Sequence, residues 1–212
     1  MKFFSKLMVS TCLLSAVSFN AVAGIVFSFT ESGGNVIMQS SGVLDTTSLI
    51  SQTSASWGGI GTETNNAPES DIMGDTTMGS LDLAFGFSAG TDLSPWIGDM
   101  FTLLFPSIPW VSSGTTQFAT YYLETGGIRT PGIGLAQEDL INGLWTPDVS
   151  WIAAASFASI GLTVGDYTIT DAQTGEFISI QIGEPISVAA PSVVVLLGLG
   201  VLGIVISRKF KL

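Results

Sequence analysis

The chain has 212 residues, of which 17 are acidic and six are basic, and it contains one cysteine and no histidine. All of the acidic residues but only one basic residue, Arg129, lie between Gly24 and Pro185, so this region carries a net charge of −16. Such a surface excludes nucleic-acid binding, which needs clustered Lys and Arg, and it repels anionic membranes. Because the region lacks His, Cys and Lys, it also excludes His- or Lys-activated nucleophiles and ordinary zinc sites.

A secretory signal peptide is predicted at residues 1–23. Two lysines precede an apolar run over residues 7–17, and the small residues Ala21 and Ala23 form a signal-peptidase site. The run is short for a membrane-spanning helix of about 20 residues, so cleavage before Gly24 is favoured over an uncleaved anchor. Cys12 lies in the apolar run, and the exported part is therefore expected to fold without disulfides.

The first exported residues predict a β-hairpin. Ile25, Phe27 and Phe29 alternate with smaller side chains, which is the period of a strand with one apolar face. A Glu-Ser-Gly-Gly turn over residues 31–34 leads to a return strand over residues 35–39.

Further strands are predicted at residues 81–88 and 117–124 and within residues 151–163. One helix is predicted over Ala136–Leu144, with two acidic residues in its first turn and Gly143 near its end. The last predicted elements are strands 166–170 and 177–182, joined by a turn over residues 171–175.

Many short strands separated by glycine-rich turns predict an all-β domain over residues 24–185. An antiparallel β-sandwich or jelly-roll-like ectodomain is expected. An N-terminal signal helix and a C-terminal transmembrane helix are expected to flank it.

The acidic residues offer one weak candidate for calcium, formed by Glu69, Asp71 and Asp75. Carboxylates are calcium ligands, but this stretch lacks the order of an EF-hand loop, and a solvated loop is the simpler interpretation. A carboxylate-pair glycosidase is compatible with the composition, although solvation explains the acids as well. No enzymatic activity and no cofactor are expected.

Trp96 and Trp110 are candidate sugar contacts. Each follows a proline in a predicted loop, where an exposed ring could stack on a sugar. The alternative is that they are core residues, as most aromatic side chains in β-domains are.

The C-terminal residues 186–212 predict a membrane-anchoring tail. A span is predicted over residues 192–207, within an uncharged stretch that is long enough to cross a bilayer. The basic end at residues 208–212, with Arg208 and Lys209, is expected to stay cytoplasmic. Gly198, Gly200 and Gly203 match a dinucleotide-binding pattern, but no room remains for the strand and helix that this pattern requires.

The tail resembles the PEP-CTERM sorting signal of Gram-negative bacteria. Pro191 is carried over from the Pro-Glu-Pro motif, with Ala189 and Ala190 in place of its first two residues and Ser192 after it. The resemblance implies recognition by an exosortase, removal of the tail, and delivery to the cell surface. It also implies a link to exopolysaccharide and biofilm matrix.

The sequence therefore predicts a non-enzymatic surface or extracellular-matrix protein. It would first be tethered to the inner membrane on its periplasmic side and then reach the surface after processing. Two alternatives remain, a carbohydrate-binding or calcium-dependent adhesive module and a plain single-span periplasmic protein. The expected partners are signal peptidase, an exosortase, the membrane and exopolysaccharide, but not nucleic acid.

Overall fold

The computed structural model describes residues 23–52, 55, 57–63, 70–77, 79–98, 100–102, 108–125 and 128–183. The predicted signal helix and transmembrane tail lie outside these residues. The strands are β1 (Gly24–Ser32), β2 (Asn35–Asp45), β3 (Ile50–Gln52), β4 (Ile60–Thr62), β5 (Ser70–Asp75), β6 (Leu83–Gly86), β7 (Val111–Gly114), β8 (Phe118–Thr125), β9 (Ile128–Leu135), β10 (Leu140–Ile141), β11 (Leu144–Trp145), β12 (Val149–Ala153), β13 (Gly165–Thr170) and β14 (Phe177–Ile182). The described residues also include three short 3₁₀ helices, at Ser94–Trp96, Gln137–Asp139 and Ala158–Ile160.

The strands form two sheets, which confirms the prediction of an all-β domain. Sheet 1 has the order β7-β12-β2-β1-β14-β13, and β11 with β10 continues along the edge of β2 beyond β12. Sheet 2 has the order β3-β6-β9-β8-β5-β4. The expectation of antiparallel pairing is wrong at one place, because β1 and β14 are parallel neighbours. Both strands turn three large apolar side chains inward, so both are suited to the centre of a sheet.

The predicted hairpins at the two ends of the domain are confirmed. Gly33 and Gly34 join β1 to β2, and their positive φ angles of 59° and 78° give a turn whose twist matches that of the strands. Strands β13 and β14 pair antiparallel as the last predicted hairpin, and residues 171–176 connect them. The predicted strands at residues 81–88 and 117–124 are found as β6 and β8.

The predicted helix over Ala136–Leu144 is wrong. Gln137–Asp139 forms a single 3₁₀ turn, and β10 and β11 then form a tight hairpin. Asn142 and Gly143 both have positive φ, at 55° and 79°, as a two-residue hairpin turn requires. This turn carries Trp145 back into the core, where its side chain is fully buried.

Both sheets contribute to one core. The ring of Phe27 on β1 stacks on Phe118 of β8 with the centroids 4.6 Å apart. The ring of Phe118 also packs against Trp145 and Trp151 of sheet 1, with ring centroids 6.1 and 5.9 Å away. The sheets are therefore packed against each other through aromatic side chains.

The parallel pairing gives sheet 1 two distinct ends. Gly24 lies beside Phe177, and Phe29 lies beside Ile182, so the chain enters the sheet at one end and leaves it at the other. We call the end at Gly24 the entry end; it also holds Asp45 and the β10–β11 hairpin. The end at Gly183, where β14 has finished, is the exit end.

Candidate functional site

The predicted signal-peptidase site lies at the start of a central strand. Gly24 is buried between Val43 on β2 and Phe177 on β14. A Cβ atom at Gly24 would collide with the ring of Phe177, so only glycine fits beneath this ring. Because proteases act on extended, accessible chain, we expect cleavage between Ala23 and Gly24 to precede folding.

A buried carboxylate lies beside this point. The Glu176 side chain accepts a hydrogen bond from the backbone N–H of Asp45 at 3.0 Å and another from the backbone of Ala23. Burial raises the pKa of Glu176 above its usual value, and the charges of Asp45 and Asp171 act in the same direction. The backbone hydrogen bonds offset this effect only in part. The entry end therefore concentrates negative charge around the first residue of β1.

Asp171 fixes the turn between β13 and β14. Burial on its own would raise the pKa of this carboxyl, but backbone N–H groups of Ser88, Thr174 and Gln173 donate to it and hold the pKa below its usual value. The distances from Gln173 N and Thr174 N to Asp171 Oδ1 are 2.9 and 2.7 Å. The carboxylate thus attaches the closing turn to the segment that follows β6.

Glu176→Gln is expected to raise stability at neutral pH in the unprocessed chain, by no more than about 1 kcal/mol, because the backbone hydrogen bonds to Glu176 offset part of the cost of burying its charge. A raised carboxyl pKa means that the folded state binds a proton that the unfolded state, with a pKa of about 4.3, has lost. The advantage of the glutamine should therefore shrink as pH falls from 7 towards 4. Urea unfolding of both chains at several pH values measures this difference, and a difference independent of pH would contradict it.

Two of the three candidate calcium ligands, Asp71 and Asp75, have different partners in the fold. Asp75 is buried and accepts hydrogen bonds from Trp151 Nε1 at 2.7 Å, from Thr77 N at 3.0 Å, and from the hydroxyls of Thr77 and Ser112. Asp71 lies opposite Tyr121 instead, and burial together with the Asp71 charge raises the pKa of Tyr121. Glu69 lies outside the described residues.

The carboxylate of Asp75 therefore already accepts hydrogen bonds from the protein, and a cation would have to displace these donors. Trp Nε1–H and backbone N–H groups cannot turn into metal ligands. Among the residues that the structure describes, no three His, Cys, Asp or Glu side chains come together as a metal site. The contacts make Asp75 a link between the two sheets.

The expectation that Trp96 and Trp110 are exposed is wrong. Trp96 is fully buried, and its Nε1–H donates to the carbonyl of Tyr167 at 3.0 Å. The tryptophan thereby covers the outer edge of β13. Trp110 packs on Trp151 and Phe29, with ring centroids 5.6 and 6.1 Å away. Neither ring offers a face for a sugar.

Another tryptophan, not singled out from the sequence, is the better aromatic candidate. Trp57 is only half-buried, and a Cβ atom at Gly74 would lie 2.7 Å from its ring. The ring therefore approaches the backbone of β5 closely at Gly74. A glycine inside a strand signals such a close approach, but the sequence does not tell which ring covers it.

Comparison with known proteins gives no assignment. No protein family model, no curated protein and no solved structure matches the chain. In the part of the chain described, no helix is long and apolar enough to cross a membrane. The predicted processing residues of the tail lie outside that part; they are Ala190, Pro191, Ser192, Arg208 and Lys209.

Proposed function

We propose that the protein is a non-enzymatic exported surface or matrix protein, sorted by its C-terminal tail. The observation that carries this proposal is the position of the fold between the two targeting signals. Strand β1 starts at Gly24, directly after the signal-peptidase motif, and β14 ends at Ile182, a few residues before the tail. Two sheets on a shared core support a β-sandwich ectodomain; a jelly-roll-like arrangement and the flanking helices belong to the proposal.

Cleavage by signal peptidase would complete the entry end. A new α-amino group on Gly24 would carry a positive charge next to Glu176, Asp45 and Asp171. This ion pairing would offset the repulsion among the three carboxylates. Maturation would then stabilise the exported domain.

The tail would act after export. Residues 192–207 would hold the domain at the inner membrane, with Arg208 and Lys209 on the cytoplasmic side. An exosortase would recognise the segment around Ala190, Pro191 and Ser192, and its action would release the domain to the cell surface. Exopolysaccharide of the biofilm matrix would be the neighbour there.

Intact mass spectrometry of the protein from its own cells tests both signals. We expect an N-terminus at Gly24 with or without the exosortase, and a C-terminus upstream of residue 192 only when the exosortase is present. Pro191→Ala should leave the C-terminus at Leu212, whereas Pro185→Ala, outside the motif, should not. A C-terminus at Leu212 in both strains would contradict the sorting and leave a plain single-span periplasmic protein.

A carbohydrate-binding or adhesive module is the second candidate. The observation that favours it is the half-buried ring of Trp57, which is a better candidate for a sugar contact than the buried Trp96 and Trp110. A glycan array measures sugar binding by the protein, and repeating the array with EDTA shows whether binding needs calcium. Trp57→Ala should abolish binding if the ring is the contact. Equal binding by this variant and the wild type would exclude Trp57 as the platform.

A further inference from the structure

The outer face of sheet 1 carries a row of apolar side chains at the exit end. Ile37 on β2 lies directly opposite Ile152 on β12, and Ile152 lies opposite Val111 on β7. Ile152 and Val111 are 42% and 65% exposed. The strand neighbours Met38 and Trp151 point into the core, so the row faces away from it.

The next outward-facing row along the same strands is polar. Its members oppose one another from strand to strand across the whole sheet. They are Ser113, Ser150, Gln39, Ser28, Gln181 and Asp166. Beyond this polar row, outward-facing apolar side chains return at the entry end, at Val26, Val43 and Phe177, so the apolar row at the exit end is a separate patch.

Val164 adds an apolar side chain beside Gly183, the last described residue. It is 67% exposed, and its Cγ1 would lie 2.9 Å from a Cβ atom at Gly183. The polar Thr30 on β1, which opposes Ile37, lies between Ile37 and Val164. We call Ile37, Val111, Ile152 and Val164 together the exit-end surface. The chain departs beside it, with 29 residues following Gly183.

The two ends of sheet 1 differ in their charge. The turn and strand ends at the entry end hold Asp45, Asp171 and Glu176. In the strands of sheet 1, Glu31 and Asp166 are the charged residues towards the exit end, and the Glu31 carboxylate is engaged by Phe157 N at 2.7 Å. An anionic membrane surface would repel the entry end more strongly.

We propose that the exit-end surface rests on the lipid bilayer that holds the tail. This inference depends on the membrane span of the proposed function. Seven residues separate Gly183 from Pro191 and reach at most about 25 Å when fully extended. Ile37 and Asp45 lie at opposite ends of β2, about 27 Å apart along the strand. A tether that leaves the domain at Gly183 therefore favours membrane contact by the exit end.

The contact is weak and depends on the tether. Four partly exposed aliphatic side chains give too little apolar area to hold a free protein on lipid. A short tether raises the local concentration to about the millimolar range, at which a weak surface is occupied. Removing the tail would therefore release the domain, and until then its processing motif would stay close to the membrane surface.

The experiment uses the full chain, with Cys12→Ser and one reporter cysteine, in phosphatidylethanolamine–phosphatidylglycerol nanodiscs that contain lipids spin-labelled near the headgroups. A fluorophore is attached at Val111→Cys or at Ile141→Cys. Ile141 is the matched control, since it is a 73% exposed aliphatic residue at the entry end. We expect quenching at position 111 to be at least about twice that at position 141.

Equal quenching at the two positions, or none at either, overturns the inference. A crosslinked dimer through position 111 also overturns it, because a second copy would then cover the surface. With the reporter at Ile152→Cys, Val111→Ser and Val164→Ser together should reduce quenching by about half or more, while far-UV circular dichroism stays unchanged. Failure of the chain to enter nanodiscs, read separately by co-elution, contradicts the proposed membrane span itself.

Discussion

Asp75→Ala is expected to lower the free energy of unfolding by about 3–5 kcal/mol. Asp75 lies on β5 in sheet 2, and its carboxylate accepts hydrogen bonds from Trp151 on β12 and Ser112 on β7, both in sheet 1. Its backbone neighbour Thr77 donates to the same carboxylate with its N–H and its hydroxyl. Alanine removes the shared acceptor and leaves the buried indole N–H of Trp151, together with the partly buried Ser112 hydroxyl, without it.

Urea denaturation of the full chain measures this loss as a lower midpoint at an unchanged slope. Asp148→Ala is the matched control, because Asp148 is exposed and accepts from the Thr115 hydroxyl at 3.0 Å. Its effect should stay within about 0.5 kcal/mol.

A double-mutant cycle separates the link between the sheets from a local effect. Trp151→Phe removes the indole N–H donor, so Asp75→Ala should cost less in that background, with a coupling of at least about 1 kcal/mol. Strictly additive effects would show that the two side chains do not act together. A loss below about 1 kcal/mol for Asp75→Ala alone would show that the carboxylate is not needed between the sheets.

The elements that were predicted correctly are those specified by local chemistry. The first and last hairpins combine alternating apolar residues with glycine turns, and both signals lie within a few residues of each other. Buried Phe27, Phe29 and Ile180 follow directly from that alternation. The class of the fold could therefore be predicted from the sequence.

The errors come from two sources. The acidic residues before Leu140 suggested a helix, whereas Asn142 and Gly143 encode the tight hairpin, a local signal that outweighs weak helix preferences. The prolines before Trp96 and Trp110 suggested exposed loops, but contacts with Tyr167 and Trp151 bury both rings. Such long-range contacts leave no local mark in the sequence, and neither does the parallel pairing of β1 with β14.

The candidate site shows the same division. Cleavage between Ala23 and Gly24 is a prediction from the local motif, whereas the proximity of this bond to Glu176 depends on the pairing of the first and last strands. Asp75 was singled out by residue type, but its role follows from Trp151, 76 positions away in the chain.

Phe118→Ala is expected to cost about 3–5 kcal/mol of unfolding free energy, comparable with the loss of Asp75. Phe118 is fully buried on β8 and contacts Phe27, Trp145 and Trp151, which lie on three different strands of sheet 1. Removing the ring leaves a cavity where the two sheets meet, and a β-sheet cannot collapse into it without breaking its hydrogen-bonded register.

Two comparisons identify the cause of this loss. Phe118→Leu fills most of the space but loses the stacking on Phe27, so it should cost less than the alanine by about 1–2 kcal/mol or more. Ile152→Ala removes an aliphatic side chain from the outer face of β12, next to Trp151 in sequence, and should cost less than about 1 kcal/mol. Near-UV circular dichroism should change for Phe118→Ala, since Trp145 and Trp151 lose a packed neighbour. A cost for Phe118→Ala no larger than for Ile152→Ala would mean that the sheets do not depend on this aromatic contact, and the stability of the domain would then have to reside within each sheet.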